Sequence, residues 1–168
     1  KNIRTPSQGA MTLATIVNKQ YSDVRVYSES ISKIIWKDIL DADIIFISIF
    51  TFNANRGYEL AQKIKKNSQA TVIFGGLHAT LNFTESVKHG DYVLLGEGDE
   101  TILKMIQAVE NNEEITFTGV AYNKGDKLIH TGIASLPQNI DVIPNRNLLY
   151  NFKKMSGHIT IWPQVHAS

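Results

Sequence analysis

The chain contains no cysteine among its 168 residues. That excludes a disulfide framework, a thiolate nucleophile and any cysteine-held zinc or iron–sulfur cluster within this chain. It has no excess of either charge: 17 basic and 16 acidic residues leave a formal net charge of +1. The basic residues are dispersed, and the densest group, Lys63, Lys65 and Lys66, falls on the expected wet face of a helix, so nucleic acid is not an expected partner. No apolar run approaches the ~20 residues of a membrane span, and no signal peptide is recognisable. The sequence has no Gly-x-Ser-x-Gly elbow, no His-Glu-x-x-His pair and no P-loop lysine, so neither hydrolysis nor phosphoryl transfer is supported. His89, His130, His158 and His166 lack partners at metal-ligand spacing, and no metal site is expected. Together these absences suggest a cytoplasmic protein, in which the Asn82-Phe83-Thr84 sequon is a chance match.

What is present is ordinary globular composition, 43% hydrophobic and 20% charged, in a length suited to one domain with a short tail. The chain is organised around Thr71-Val-Ile-Phe-Gly-Gly-Leu-His-Ala79. A short strand-forming run that ends in two glycines reads as a buried strand leaving a sheet at its carboxyl end. In open α/β sheets ligands bind beyond those ends, and glycine there leaves room for something flat or bulky. Gly75 and Gly76 are therefore either the floor of a binding site or simply a tight turn.

Elsewhere strands alternate with amphipathic helices. Thr5-Pro6-Ser7-Gln8 predicts a helix start, with Thr5 as cap and Ala10, Leu13, Ala14 and Val17 as its apolar stripe. Val24–Tyr27 predicts a strand near a sheet edge, and 30–40 a helix. Asp43–Phe50 is nearly continuous apolar, as a parallel strand covered on both faces reads. Gly57, Leu60, Ala61 and Ile64 mark the next helix, Asn82 with Glu85 a capped one ending near Gly90, and Asp91–Leu95 another buried strand. The following helix turns Ile102, Leu103, Ile106 and Val109 inward. Beyond Asn112 the pattern changes: Gly119–Tyr122 and Lys127–His130 flank Asn123-Lys-Gly-Asp126 as a β-hairpin, 136–147 with Pro137 and Pro144 is a linker, and His158–Trp162 a short strand. The pattern implies a doubly wound parallel α/β sheet, Rossmann-like or flavodoxin-like, with a C-terminal β-hairpin and linker.

Three polar positions stand out. Ser48, the lone polar residue within its strand, bonds backbone or points at a ligand. Glu97, between Gly96 and Gly98 at a strand end, suits hydrogen bonds from ligand amides or hydroxyls, or is simply solvated while Asp99 caps the helix. His78, in the Gly-Gly turn, is a ligand contact or a hydrogen-bonded bystander. Gly96-Glu-Gly-Asp-Glu-Thr101 is only a partial dinucleotide fingerprint, since Thr101 stands where the third glycine belongs.

Val72-Ile-Phe-Gly-Gly-Leu-His-Ala79 followed by Asp91-Tyr-Val-Leu-Leu-Gly-Glu-Gly-Asp-Glu-Thr101 resembles the N-terminal cobalamin-binding domain of cobalamin-dependent radical SAM proteins, in particular the anaerobic magnesium-protoporphyrin IX monomethyl ester cyclase-like group. Pro6–Gly9 with Leu13-Ala14 resembles that family's first helix, and Leu136-Pro137 with Ile143–Arg146 its proline-rich passage to the catalytic barrel. The resemblance implies cobalamin across the carboxyl ends of the strands. Ser48, Phe50, Thr51 and Phe52 would meet the corrin or its nucleotide tail, Gly75, Gly76, Leu77 and His78 would border the tail, and Gly96, Glu97 and Gly98 would line the far side. It divides the chain into a cobalamin-binding domain over 1–112 with a truncated first strand, an appended hairpin over 113–135 and a linker over 136–168 toward a radical SAM barrel. The parent enzyme, a methyltransferase or cyclase, would also use S-adenosylmethionine and a 4Fe-4S cluster, neither held by this chain, which would not be catalytic alone. The Asp-x-His-x-x-Gly motif by which mutases give cobalt a histidine is absent, so no histidine of this chain is expected to bind cobalt from below. Two other readings of the same pattern are a flavodoxin-like regulatory or interaction module and the nucleotide-sugar-binding half of a glycosyltransferase.

Overall fold

The computed structural model describes residues 7–137 and 142–151. The expected strand stub at 1–4, the Thr5 and Pro6 positions, and the strand and tail over 158–168 lie outside the described residues. The first helix, α1 (Gln8–Val17), is capped by the Ser7 side chain, which accepts from the Ala10 amide, so the cap falls two residues later than Thr5. Next come α2 (Trp36–Leu40), β1 (Ile44–Ser48), a 3-10 turn over Thr51–Asn53, α3 (Ala54–Asn67), β2 (Thr71–Gly75), α4 (Leu77–Leu81) and α5 (Phe83–Ser86). The remainder is β3 (Tyr92–Leu94), α6 (Ile102–Glu110), β4 (Val120–Lys124), β5 (Lys127–His130) and a 3-10 turn over Arg146–Leu148.

The strands form one sheet in the order β1-β2-β3-β4-β5. The first three are parallel, with Ile44 beside Thr71 and Ile73 beside Tyr92, and β4 and β5 continue the sheet antiparallel. Alternation along β2 sends its side chains to opposite faces. Val72 and Phe74 pack with Tyr58, Ala61 and Ile64 of α3, while Ile73 packs with Leu94, Met105 and Val120 beneath α6. Two apolar layers thus sandwich the sheet, as its composition predicts. Among the described residues no helix is long and apolar enough to cross a membrane.

Several expectations need correction. The helix expected over 30–40 forms only in its last turn and a half, at Trp36–Leu40. Upstream, Ile31 and Ser32 amides close a turn on the Ser28 carbonyl, a conformation that serine side chains favour over helix. Val24–Tyr27 makes a single parallel bridge, Val26 with Leu149, rather than a strand. β1 has the composition of a strand covered on both faces, yet it lies at the sheet edge, with Phe46 36% exposed. The hairpin forms, but Asn123 and Lys124, expected in its turn, extend β4 and leave only Gly125-Asp126 between the strands. It continues the sheet, with Val120 and Ala121 fully buried and the Phe83 ring stacked on His130 at 4.8 Å. The part of the linker within the described residues folds back. Val26 and Leu149 share a cluster with Met11 and Ala14, and the Asn145 amide donates to Thr15 Oγ1 at 2.7 Å.

Asp91 fastens the start of β3 to β2. Its carboxylate accepts the buried Val72 amide at 2.9 Å and pairs with the half-exposed Lys65. Asp91→Ala leaves that amide without a partner and is expected to cost about 1–3 kcal/mol. Lys65→Met removes only a solvated ion pair and should cost under about 1 kcal/mol. Urea unfolding of the two variants checks the ranking; equal losses would assign the stabilisation to the ion pair instead.

Candidate functional site

The carboxyl ends of β1 and β2 are laced together. The Ile49 amide donates to the Gly75 carbonyl at 2.9 Å, and the His78 amide donates to the Ile49 carbonyl at 3.2 Å. Gly76 turns the chain at φ +91°, and a Cβ there would lie 2.7 Å from the Ile49 carbonyl oxygen and 3.0 Å from Ser48 Oγ. Only glycine permits that approach. Gly75 is different: a Cβ built on it meets nothing within 4 Å. The structure therefore divides the two readings of this motif between two residues, with Gly76 serving the turn and Gly75 opening on free space.

Large apolar side chains are exposed on the loop that leaves β1 and on α4, which follows the Gly75-Gly76 turn. Phe50 and Phe52, 42% and 87% exposed, stack on each other at 5.8 Å and 8°, held by the Asn53 side chain, whose oxygen accepts the Phe50 amide at 2.7 Å. Leu77 and Leu81 of α4 are exposed as well. An apolar group of this kind at the edge of a binding crevice marks a contact surface more often than a solvated one. Thr51 is exposed between the two phenylalanines.

His78 points inward, contrary to a solvated loop position. It is 8% exposed; its Nε2 lies 3.2 Å from Tyr58 Oη and its Nδ1 3.3 Å from Thr51 Oγ1. Tyr58 Oη continues to the fully buried Ser86 hydroxyl at 3.1 Å, and the Tyr58 ring stacks on His89 at 4.0 Å. Burial holds the Tyr58 phenol above its ordinary value, with Ser86 opposing and Glu85 adding. Asn82, expected as a helix cap, makes no capping bond; its side-chain nitrogen lies 3.4 Å from His78 Nδ1 and from the His78 carbonyl oxygen. The helix after the glycines accordingly starts at Leu77, directly behind Gly76, and Asn82 interrupts it.

The turn after β3 is packed by the protein itself. A Cβ on Gly96, at φ +83°, would meet Ile133 Cγ2 at 2.8 Å, and one on Gly98 would meet the Leu13 side chain at 3.0 Å. Thr80 Oγ1 accepts the Gly96 amide at 3.1 Å and joins this turn to α4. Glu97 is exposed at its tip. Ser48, Thr51, Gly75, Gly76 and His78 therefore meet in one place, Phe50, Phe52 and Leu77 stand exposed around it, and Gly96–Gly98 is tethered alongside. Tyr58, Ser86 and Thr80 are not singled out by the sequence, and Asn82 only as a helix cap. Tyr58 had a signal: a hydroxyl-bearing ring on the buried face of α3, beside Gly57 and Ala61. Among the described residues no three His, Asp or Glu side chains gather as metal ligands. A polar depression lined by Glu59, Gln62, Lys63, Lys66 and Asn67 lies on the outer face of α3, away from the strand ends.

Helices on both faces of a sheet whose parallel strands end in this crevice make a Rossmann-like α/β domain. The same fold occurs in the radical S-adenosylmethionine methyltransferase TsrM from Kitasatospora setae, solved with cobalamin and a 4Fe-4S cluster bound (TM-score 0.63, 15% identity, 81% of this chain and 28% of that one). It occurs also in the cobalamin-dependent S-adenosylmethionine radical enzyme OxsB with aqua-cobalamin bound (TM-score 0.66, 16% identity, 80% and 21%). The chain belongs to the B12 binding domain family, whose model matches residues 4–106. Among curated proteins it is 36% identical over 72 residues to bacteriochlorophyllide d C-8(2)-methyltransferase of Chlorobaculum tepidum, covering 43% of this chain and 16% of that protein. It is 29% identical over 89 residues to the anaerobic magnesium-protoporphyrin IX monomethyl ester cyclase of Synechocystis, covering 51% and 18%. The chain thus spans less than a fifth of the length of these two relatives.

The two glycines should separate experimentally. Gly76→Ala forces a Cβ against the Ile49 carbonyl in a left-handed conformation and is expected to lower stability by about 1–3 kcal/mol. Gly75→Ala should change it by less than about 1 kcal/mol, in either direction. Urea midpoints measure both, and a larger loss at Gly75 would contradict the assignment.

Proposed function

We propose that this domain holds cobalamin across the carboxyl ends of β1, β2 and β3, with Ser48, Phe50, Thr51 and Phe52 on one side, Gly75, Gly76 and Leu77 beneath and Gly96, Glu97 and Gly98 beyond. The observation that carries this is the open face of Gly75, next to an exposed aromatic pair and at the crevice where a sheet of this class binds its ligand. The residues suit the group. A corrin is broad and largely apolar on its faces, which matches Phe50, Phe52, Leu77 and Leu81, and its rim of carboxamides needs hydroxyl and backbone partners such as Thr51 and the turn amides. His78 acts from behind this surface. When bound, cobalamin supplies a cobalt centre able to carry a methyl group, and the protein's part is to bind and orient it.

Membership of the B12 binding domain family supports this reading over a regulatory module or a nucleotide-sugar-binding half. The domain would serve a longer cytoplasmic protein in which a radical SAM barrel provides S-adenosylmethionine and a 4Fe-4S cluster, with methyl transfer or cyclisation as its reaction. The names and greater length of the two curated relatives support the reaction class, and the likeness to the TsrM and OxsB structures supports the barrel and its cofactors.

Hydroxocobalamin mixed with the protein and desalted should leave a corrin spectrum with the protein fraction. Gly75→Val puts a branched side chain into the proposed floor; at about 1–3 kcal/mol of overpacking, binding should weaken roughly tenfold to hundredfold with the urea midpoint little changed. Unchanged affinity in a folded Gly75→Val protein would remove Gly75 from the site, and no retention by the wild type would remove the function.

A further inference from the structure

We propose that His78 is a positioning residue that fixes Thr51 as a hydrogen-bond acceptor toward the ligand, so that a ligand donor, of the carboxamide or hydroxyl class, is what meets that loop. This rests on the cobalamin reading for the identity of the ligand. The argument begins at Asn82, whose side-chain nitrogen faces both the His78 carbonyl oxygen and His78 Nδ1, each at 3.4 Å. An amide oxygen in that place would oppose the carbonyl, so the group facing Nδ1 is a donor and Nδ1 is the unprotonated ring nitrogen. The ring hydrogen is then on Nε2 and donates to Tyr58 Oη at 3.2 Å, and the Tyr58 hydroxyl donates to Ser86 Oγ at 3.1 Å. Donation thus runs in one direction along this buried chain, from His78 through Tyr58 to Ser86.

The consequence falls on Thr51. Nδ1 has one lone pair to offer, and the Thr51 hydroxyl, the nearer of its two polar neighbours at 3.3 Å against 3.4 Å, donates to it while Asn82 is left to the His78 carbonyl. The Thr51 oxygen is then able only to accept from outside. The same contact ties the loop leaving β1 to the helix following β2, beside the Ile49-to-His78 backbone bond. Phe50 and Phe52 flank Thr51 in the loop that this contact ties down.

Two isosteres separate positioning from general support. The amide of asparagine overlays the Nδ1 side of an imidazole, and that of glutamine overlays the Nε2 side. His78→Asn keeps an acceptor for Thr51 and abandons Tyr58; His78→Gln does the reverse. Hydroxocobalamin titration should give an affinity for His78→Asn within about twofold of wild type and for His78→Gln a loss of roughly three- to tenfold, while their urea midpoints fall by similar amounts. Affinities that fall together, or that follow the midpoints, would overturn the proposal. Should His78→Gln not fold, the exposed Thr51 decides: Thr51→Val should show the loss and Thr51→Ser should not, and an unaffected Thr51→Val would refute it. A wild-type protein that binds no hydroxocobalamin would instead refute the function on which the ligand assignment rests.

Discussion

The missing side chain at Gly76 lets the exit of β2 cross the end of β1 at van der Waals distance. With the Ile49 carbonyl and Ser48 Oγ occupying the volume a Cβ would need, the turn is pinned at φ +91°. Because the turn is pinned, α4 starts at once, and its second residue, His78, is delivered under the loop of Thr51. The crevice therefore owes its shape first to this close approach of β2 to β1, and the His78 contact to Thr51 then ties the loop to the helix. The polar chain of His78, Tyr58 and Ser86 then fills what would otherwise be an unsatisfied gap between α3, α4 and α5.

This arrangement sits on the parallel half of a mixed sheet. β1, β2 and β3 all deliver their carboxyl ends to one side, whereas β4 and β5 run antiparallel beyond them. The antiparallel pair nevertheless takes part at that side. The Ala134 amide donates to the Leu95 carbonyl, and Ile133 and Ala134 cover the bare face of Gly96, so the chain leaving the hairpin braces the turn that bears Glu97. The docked stretch around Leu149, packed on α1, closes the domain on the side of Val26. Burial of Tyr27 there, with its hydrogen bond to Asp38, pushes the phenol up to about 12.

The elements read best from sequence are those whose pattern is local and strong: β1, β2, β3, α3, α6 and the hairpin with its Gly125-Asp126 turn. Their apolar runs and periodicity survive any tertiary context. The stretch 30–40 reads as a helix from sequence because its four isoleucines fall at helical spacing, but isoleucine and the two serines bring little helical propensity. The docking of 142–151 was not legible either, since it rests on contacts such as Asn145 to Thr15, 130 positions apart. At the site, the paired glycines marked the right turn, but which of them faces open space depends on a backbone angle that the sequence does not display. His78 was visible as a candidate; its inward direction followed only once Tyr58 and Asn82 were seen around it. The family resemblance carried by the Gly-Gly-x-His and Gly-Glu-Gly-acid segments agrees with the family match.

The claim that the β1–β2 crevice is the cobalamin site is tested most directly by amide hydrogen exchange of the whole chain with and without hydroxocobalamin. The account predicts slowed exchange confined to residues 48–53, 75–82 and 96–98, where the strand ends and the turns meet. Protection located instead on the outer face of α3, around Glu59 to Asn67, or absent from the Gly75 turn while cobalamin is demonstrably bound, would contradict it.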